Sequence, residues 1–268
     1  MRIIASDNGV KYLRSEKIKC PHGFSTRIGG VSTESHTKEL NLQFRRGDSD
    51  ETVFANLKKF AEAVGVLPES FTCAHQIHSN KVIRITDADS GKGYFKADEF
   101  EGDGFVTADK GVTLAVKTAD CVPILLSGED GHGNVIAVSA LHAGWRGTAK
   151  NIVSVGVSGL KELGVEPKNI YAAIGPHICA ECFEVDPDCR DEMISLLGAP
   201  YERFMYQKGE KFYIDLGKIN RQLLIELGVP EENTELSDNC TACSPELFYS
   251  HRKTNGKRGT MLSVISIA

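Results

Sequence analysis

Between residues 112 and 142 the chain runs through three apolar segments in close succession, VTLAVK at 112–117, VPILLS at 122–127 and NVIAVSALH at 134–142. Each has strand length and favours β-branched residues, and EDGHGN at 129–134 supplies the aspartate and glycines of a hairpin loop. Shorter runs at 82–85, 104–107, 169–174 and 260–266 read as further strands. Helices lie among them. After DSDE at 48–51 as an acidic start, Val53, Phe54, Leu57, Phe60, Ala61 and Val64 recur at helical spacing until Gly65. A second helix is predicted over 148–163, from Thr148 as N-cap to Gly164 as C-cap. A third starts at Asp186-Pro187, and a fourth covers 216–227. Strands joined by hairpins and flanked by helices read as α/β or α+β with a mixed sheet. Without repeats, low-complexity segments or a Pro/Gly/Ser linker, one integrated domain over 1–268 is expected.

Charge and composition exclude several function classes. The net charge is -5 and the densest basic clusters are FRR at 44–46 and GKR at 256–258, so a nucleic-acid partner is not expected. No stretch approaches the roughly 18 consecutive apolar residues of a transmembrane helix, so no membrane partner is expected either. The opening MRIIASDNGVKYL lacks the apolar core and cleavage site of a signal peptide. Eight cysteines without an export signal suit a reducing cytoplasm, where thiols stay free, bind metal or react. There is no G-x-G-x-x-G after a strand, no P-loop, no G-x-S-x-G elbow and no zinc-deaminase H-x-E with P-C-x-x-C.

Three segments combine reactive side chains with tight backbone. In HQIHSNKV at 75–82, a strand would turn Gln76 and His78 to one side and His75 to the other, so one histidine should reach a given pocket. In TADCVP at 118–123, Pro123 cannot donate to a ladder, which puts a break, bulge or edge near Cys121. In LHAGWRG at 141–147, His142 closes a strand and two glycines turn the chain, with Arg146 available to an anion. Alone, Cys121 reads as inert core and each histidine as an ordinary polar residue. Together, His78, Cys121 and His142 suit a divalent zinc site that leaves a position open for water or substrate. The same atoms also suit copper, although no H-x-H pair or second histidine-rich cluster supports oxygen-reducing chemistry. They equally suit a Cys121–His142 nucleophile–base dyad with Gln76 or backbone amides as oxyanion donors. A binding or regulatory protein with a structural metal is a further alternative. Cys179-Ala-Glu-Cys182 and Cys240-Thr-Ala-Cys243 have the spacing of structural zinc ligands. With 57 residues and at least two predicted helices between the pairs, free or reversibly oxidised thiols are the expected state.

The stretches GFSTRIGGVS, LNL, RRGD, HQIHSNKV, DGFVT, TADCVP, HAGWRG, IGPHICAECFEVD and ELFYSHRKTNGKRG span nearly the whole chain. In this order they resemble the YfiH/LACC1 family, once labelled polyphenol oxidase or laccase and now associated with purine nucleoside phosphorylase. The resemblance implies a four-layer α-β-β-α sandwich and a catalytic zinc on His78, Cys121 and His142. It also implies phosphorolysis of adenosine, inosine, guanosine and methylthioadenosine, and deamination of adenosine. A fold relation to cysteine-dependent deamidases keeps the dyad open, and peptidoglycan editing is a label attached to some members. For substrate, Arg27 and Arg46 are the candidate phosphate ligands and Asn41 and Gln76 the candidate sugar or base contacts. The expected partners are small molecules, purine nucleosides and phosphate, and the expected state is a monomer or small homo-oligomer.

Overall fold

The computed structural model describes residues 1–96 and 100–267. The three apolar runs do not share one sheet. The strand β7 (Thr113–Thr118) belongs to one six-stranded sheet, and the next two strands belong to a second. The first sheet is ordered β1 (Arg2–Ala5), β2 (Lys11–Arg14), β3 (His22–Ser25), β15 (Met261–Ser266), β7 and β4 (Phe71–Thr72). The second is ordered β14 (Thr234–Leu236), β10 (Ile170–Ile174), β8 (Val122–Glu129), β9 (Val135–Ala143), β6 (Gly104–Thr107) and β5 (Val82–Arg84). Both are mixed: β4 runs parallel to β7, β5 to β6 and β14 to β10, and the remaining pairs are antiparallel. A small third sheet, β11 (Glu184–Val185), β13 (Lys211–Ile214) and β12 (Met205–Lys208), stands apart.

Alternation along the strands sorts the core into three layers. In β15, Leu262 and Val264 turn to the helix α1 (Asp50–Val64), where Val53, Leu57, Phe60 and Ala61 cover them. Met261 and Ile265 turn the other way and pack with Leu125, Val138 and Ala140 of the second sheet. The far side of that sheet, Ile124, Leu126 and Leu141, is covered by α3 (Ile152–Glu162) and α5 (Leu216–Glu226). The stack is therefore helix, sheet, sheet, helix. α1 starts where the charge pattern predicts: Ser49 accepts the Thr52 N–H, Asp50 and Glu51 favour the positive end, and Gly65 closes it at φ 81°. Such a cap contributes about 1 kcal/mol.

One predicted helix is two. α2 (Trp145–Ala149) ends at Lys150, and Asn151 at φ 53° then caps α3 by accepting the Ser154 N–H. Asparagine tolerates this left-handed geometry, so Asn151 rather than Thr148 starts the long helix. α4 (Pro187–Leu197) begins after Asp186 as predicted, and α6 (His251–Thr254) is a single turn.

The chain crosses between the two sheets at Ala119–Cys121. Asp120 stands at φ 101°, a left-handed conformation costly for a residue with a side chain. Its carboxylate is tied down by Thr241 Oγ1 at 2.6 Å and the Arg252 N–H at 2.7 Å, and its carbonyl by the Ile178 N–H at 2.9 Å. The break thus precedes Pro123, which sits inside the central strand β8. Pro123 has no N–H to offer Gly175, and His177 Nδ1 takes that carbonyl instead at 2.8 Å.

A candidate metal centre between the sheets

Cys121 leaves the crossover at the edge of a polar cavity of about 230 Å³. His142 reaches the same place from the end of β9, and His78 from the loop after β4. This loop is not a strand: His78 adopts φ 57°. The strand-based expectation that only one histidine reaches the pocket therefore fails, and His75, Gln76 and His78 all line it. Only His78 joins the cluster: one ligand atom each from His78, Cys121 and His142 lie within 4.8 Å of one another. The imidazole rings meet edge-on, with centroids 4.9 Å apart. Gly144 is needed here. A Cβ would stand 2.8 Å from His78 Nδ1 and 3.3 Å from Cys121 Sγ, filling the space between the ligands.

Asp103, at the start of β6, organises the cluster. Its fully buried carboxylate accepts His142 Nδ1–H at 2.8 Å, the His78 N–H at 3.0 Å and the Ser79 N–H and hydroxyl at 2.6 and 2.7 Å. Burial alone would raise its pKa, but these donors, His142 and Ser79 foremost, hold it below the usual carboxylate range. With Nδ1 committed to Asp103, His142 has only Nε2 to present to the cluster. Burial also works against a charged His142, yet the neighbouring Cys121 and the bond to Asp103 push it up to about 9. His78 moves down, through burial and then through His142 beside it. In the sequence, Asp103 shows only as the first residue of DGFVT. Its signal was an aspartate placed directly before an apolar strand.

The other predicted residues divide. Arg46 lines the cavity, with Gln43 Oε1 accepting its Nε–H at 3.2 Å. Gln76 also lines it, but both ends of its amide are held by the backbone of Lys117, at 2.7 and 2.8 Å. Asn41 is fully buried and not in the lining; it bonds Asp48, Gln43 and the Thr260 N–H, bracing the RRGD loop. Arg27 is not in the lining either. It stacks 4.6 Å above the Tyr249 ring and donates to the Pro245 carbonyl. Arg146 stacks on Trp145 at 4.1 Å. Arg258 takes the position expected of Arg27. It lines the cavity with Arg46, with Nη1 bonded to Thr260 Oγ1 at 2.6 Å and a buried Nε without a partner among the described residues. Burial, then Arg46, lowers its pKa to about 10, which leaves it charged at neutral pH. A second cavity of about 410 Å³ shares Arg46, His78, Cys121 and Arg258 with the first and adds an apolar wall of Ile178 and Phe183.

Fold and site define an α-β-β-α protein with two imidazoles and a thiol gathered at the mouth of a cationic pocket. Residues 21–268 match the family described as multi-copper polyphenol oxidoreductase laccase. The chain belongs to this family, which also contains the YfiH proteins. It is 36% identical over 252 residues to the purine nucleoside phosphorylase YlmD of Bacillus subtilis, covering 91% of this chain and 87% of that protein. It is 31% identical over 255 residues to the adenosine deaminase RL5 of an unknown prokaryotic organism, covering 89% and 91%. The crystal structure of a hypothetical YfiH protein from Bacillus licheniformis superposes with a TM-score of 0.90 at 30% identity over 99% of both chains.

Proposed function

We propose that this chain is a zinc-dependent purine nucleoside phosphorylase, acting on adenosine, inosine, guanosine and methylthioadenosine, with adenosine deamination as a second activity. One observation carries the reading. Two guanidinium groups, Arg46 and Arg258, line the cavity that His78, Cys121 and His142 also line. Like charges in one cavity wall repel unless an anion meets them, and a forked donor suits phosphate. The names of the relatives supply the substrate class.

The cluster fits zinc by its donors: two imidazoles and a thiol, one imidazole oriented by a buried carboxylate, and glycine where any side chain would intrude. A zinc ion held by His78, Cys121 and His142 would supply Lewis-acid polarisation to the substrate. The chain's own residues do the rest. Arg46 and Arg258 hold phosphate at the wall shared by the two cavities, and Ile178 and Phe183 provide an apolar face for the purine. A phosphate oxygen attacks C1′ of the ribose as the C1′–N9 bond breaks. The bond's electron pair leaves with the base, which takes up the proton that the attacking hydrogen phosphate gives up, and the sugar passes through an oxocarbenium-like state. The two arginines keep the nucleophile close and offset its charge.

A second reading has an observation of its own. Asp103 orients His142, whose raised pKa favours an imidazolium beside the Cys121 side chain, which is the arrangement of a cysteine hydrolase. Gln76 is not free to serve it as an oxyanion donor as expected, because Lys117 engages both ends of its amide. Incubating the protein with adenosine, with and without phosphate, separates the readings. Adenine and ribose-1-phosphate formed only with phosphate support the phosphorylase, and inosine reports the deaminase. No turnover together with a Cys121-dependent covalent adduct would favour the hydrolase and overturn the proposal.

A further inference from the structure

The two C-x-x-C pairs, far apart in sequence, meet in space. One follows β10 and the other follows β14, and these strands are parallel neighbours, so the loops leaving them run side by side. His177 and Cys240 form a bridge there, with the Thr241 N–H donated to the His177 carbonyl at 3.0 Å. The sequence separation that argued for independent thiols is spanned by this pairing. The sulfurs of Cys179, Cys182, Cys240 and Cys243 all lie within 4.8 Å of one another. A tetrahedral zinc with Zn–S bonds of about 2.3 Å places its sulfurs about 3.8 Å apart, close to the present spread, in which Cys182 and Cys243 stand 3.4 Å apart, so small side-chain shifts close the site.

The backbone around the sulfurs is already arranged for ligands. Each pair closes a tight turn: the Cys182 N–H reaches the Cys179 carbonyl at 3.1 Å, and the Ser244 N–H the Cys240 carbonyl at 3.1 Å. The Cys179 N–H is donated to Cys240 Sγ at 3.2 Å, a contact that suits a thiolate better than a thiol. Among the described residues the junction's apolar cluster is small, with Ile178, Cys240 and Ala242 buried and Cys179, Cys182 and Phe183 packed against them. Yet the strained Asp120 hangs from it, through Ile178, Thr241 and Arg252, and Arg252 also binds the Cys182 carbonyl at 3.1 Å.

We propose that Cys179, Cys182, Cys240 and Cys243 form a second, closed tetrathiolate site for a divalent zinc-class ion, structural in role. The ion clamps the two loops and so fixes the crossover that presents Cys121. All four coordination positions are filled by protein, which separates this site from the open three-ligand cluster. The proposal stands whether or not the phosphorylase reading holds.

The test is metal content per chain, measured on full-length protein purified under reducing conditions without chelator. The wild type should carry about two equivalents, and both Cys182→Ser/Cys243→Ser and His142→Ala about one. Should the serine variant fail to fold, His142→Ala still decides, because it leaves all four cysteines. Loaded with cobalt, it should show the intense thiolate-to-metal charge-transfer bands and tetrahedral ligand-field bands of a four-sulfur site. A serine variant with wild-type metal content, a metal-free His142→Ala protein, or an intact mass showing these cysteines as disulfides would each overturn the proposal.

Discussion

Replacing Asp103 by asparagine keeps the volume of the side chain and removes one acceptor. The carboxylate meets five donors: the Ile77, His78 and Ser79 N–H groups, the Ser79 hydroxyl and His142 Nδ1. An asparagine can face only one oxygen into this ring. With its NH₂ toward Ile77 and Ser79, two backbone N–H groups lose their acceptor and only the Ser79 hydroxyl can turn away. With the NH₂ on the other side, the His78 N–H is stranded and His142 must accept at Nδ1, which moves its proton to the Nε2 that faces Cys121. Each stranded buried donor costs about 1–3 kcal/mol, so a loss of about 2–4 kcal/mol is expected after local relaxation. For a chain of this size that is on the order of 10 °C in Tm. Losing the oriented imidazole should also weaken zinc binding about 10–100-fold. Denaturant unfolding of metal-stripped wild type and variant isolates the first effect, and a chelator competition titration isolates the second. A stripped Asp103→Asn protein of wild-type stability, with wild-type zinc affinity when loaded, would refute the assignment of Asp103 as the organiser of the cluster.

Other perturbations test neighbouring parts of the account. Arg258→Gln should raise the KM for phosphate about 10–100-fold, the value of a charge-assisted hydrogen bond, with little change for nucleoside in initial-rate assays. Gly144→Ala places a methyl against His78 Nδ1 and Cys121 Sγ, so zinc affinity measured by competition should fall while unfolding of the stripped protein moves little. The buried His22 accepts the Ser15 N–H at Nε2 and is held neutral, its pKa lowered by burial, with Arg14 also opposing the charge and Glu235 favouring it. Because the folded pKa lies below the unfolded value of about 6.5, the unfolded chain binds the extra proton first. Stability from His22 is therefore complete above that value and is lost as pH falls through the lowered folded pKa. Urea unfolding at a series of pH values, compared with His22→Asn, should show the shallower acid slope in the variant.

The sequence carried the long elements well because their periodicity is strong: the run of β8 and β9, and α1 with its acidic start and Gly65 stop. It did not reveal β1 to β4, whose two to four residues are too few for alternation to register. It also did not show that β7 and β8 lie in different sheets, since only Asp120 in a left-handed conformation marks the crossing. His78, Cys121 and His142 stand out in the sequence as reactive residues in tight, strand-flanking segments, and the structure brings one ligand atom of each within 4.8 Å of the others. Arg258 was legible only as part of a basic cluster, and its burial depends on Thr260, Arg46 and the cavity around them. Arg27 drew attention by its motif, but the ring of Tyr249 captures it. The cysteine pairs were judged by distance along the chain, whereas the parallel pairing of β10 with β14 sets their distance in space.

The central claim is that the His78, Cys121 and His142 cluster holds a zinc ion required for nucleoside cleavage beside Arg46 and Arg258. Ribose-1-phosphate release from adenosine should be measured on the protein as purified, after metal stripping, and after reloading with zinc. The account predicts loss of turnover on stripping and recovery with zinc, and undiminished phosphorolysis by verified metal-free protein would contradict it.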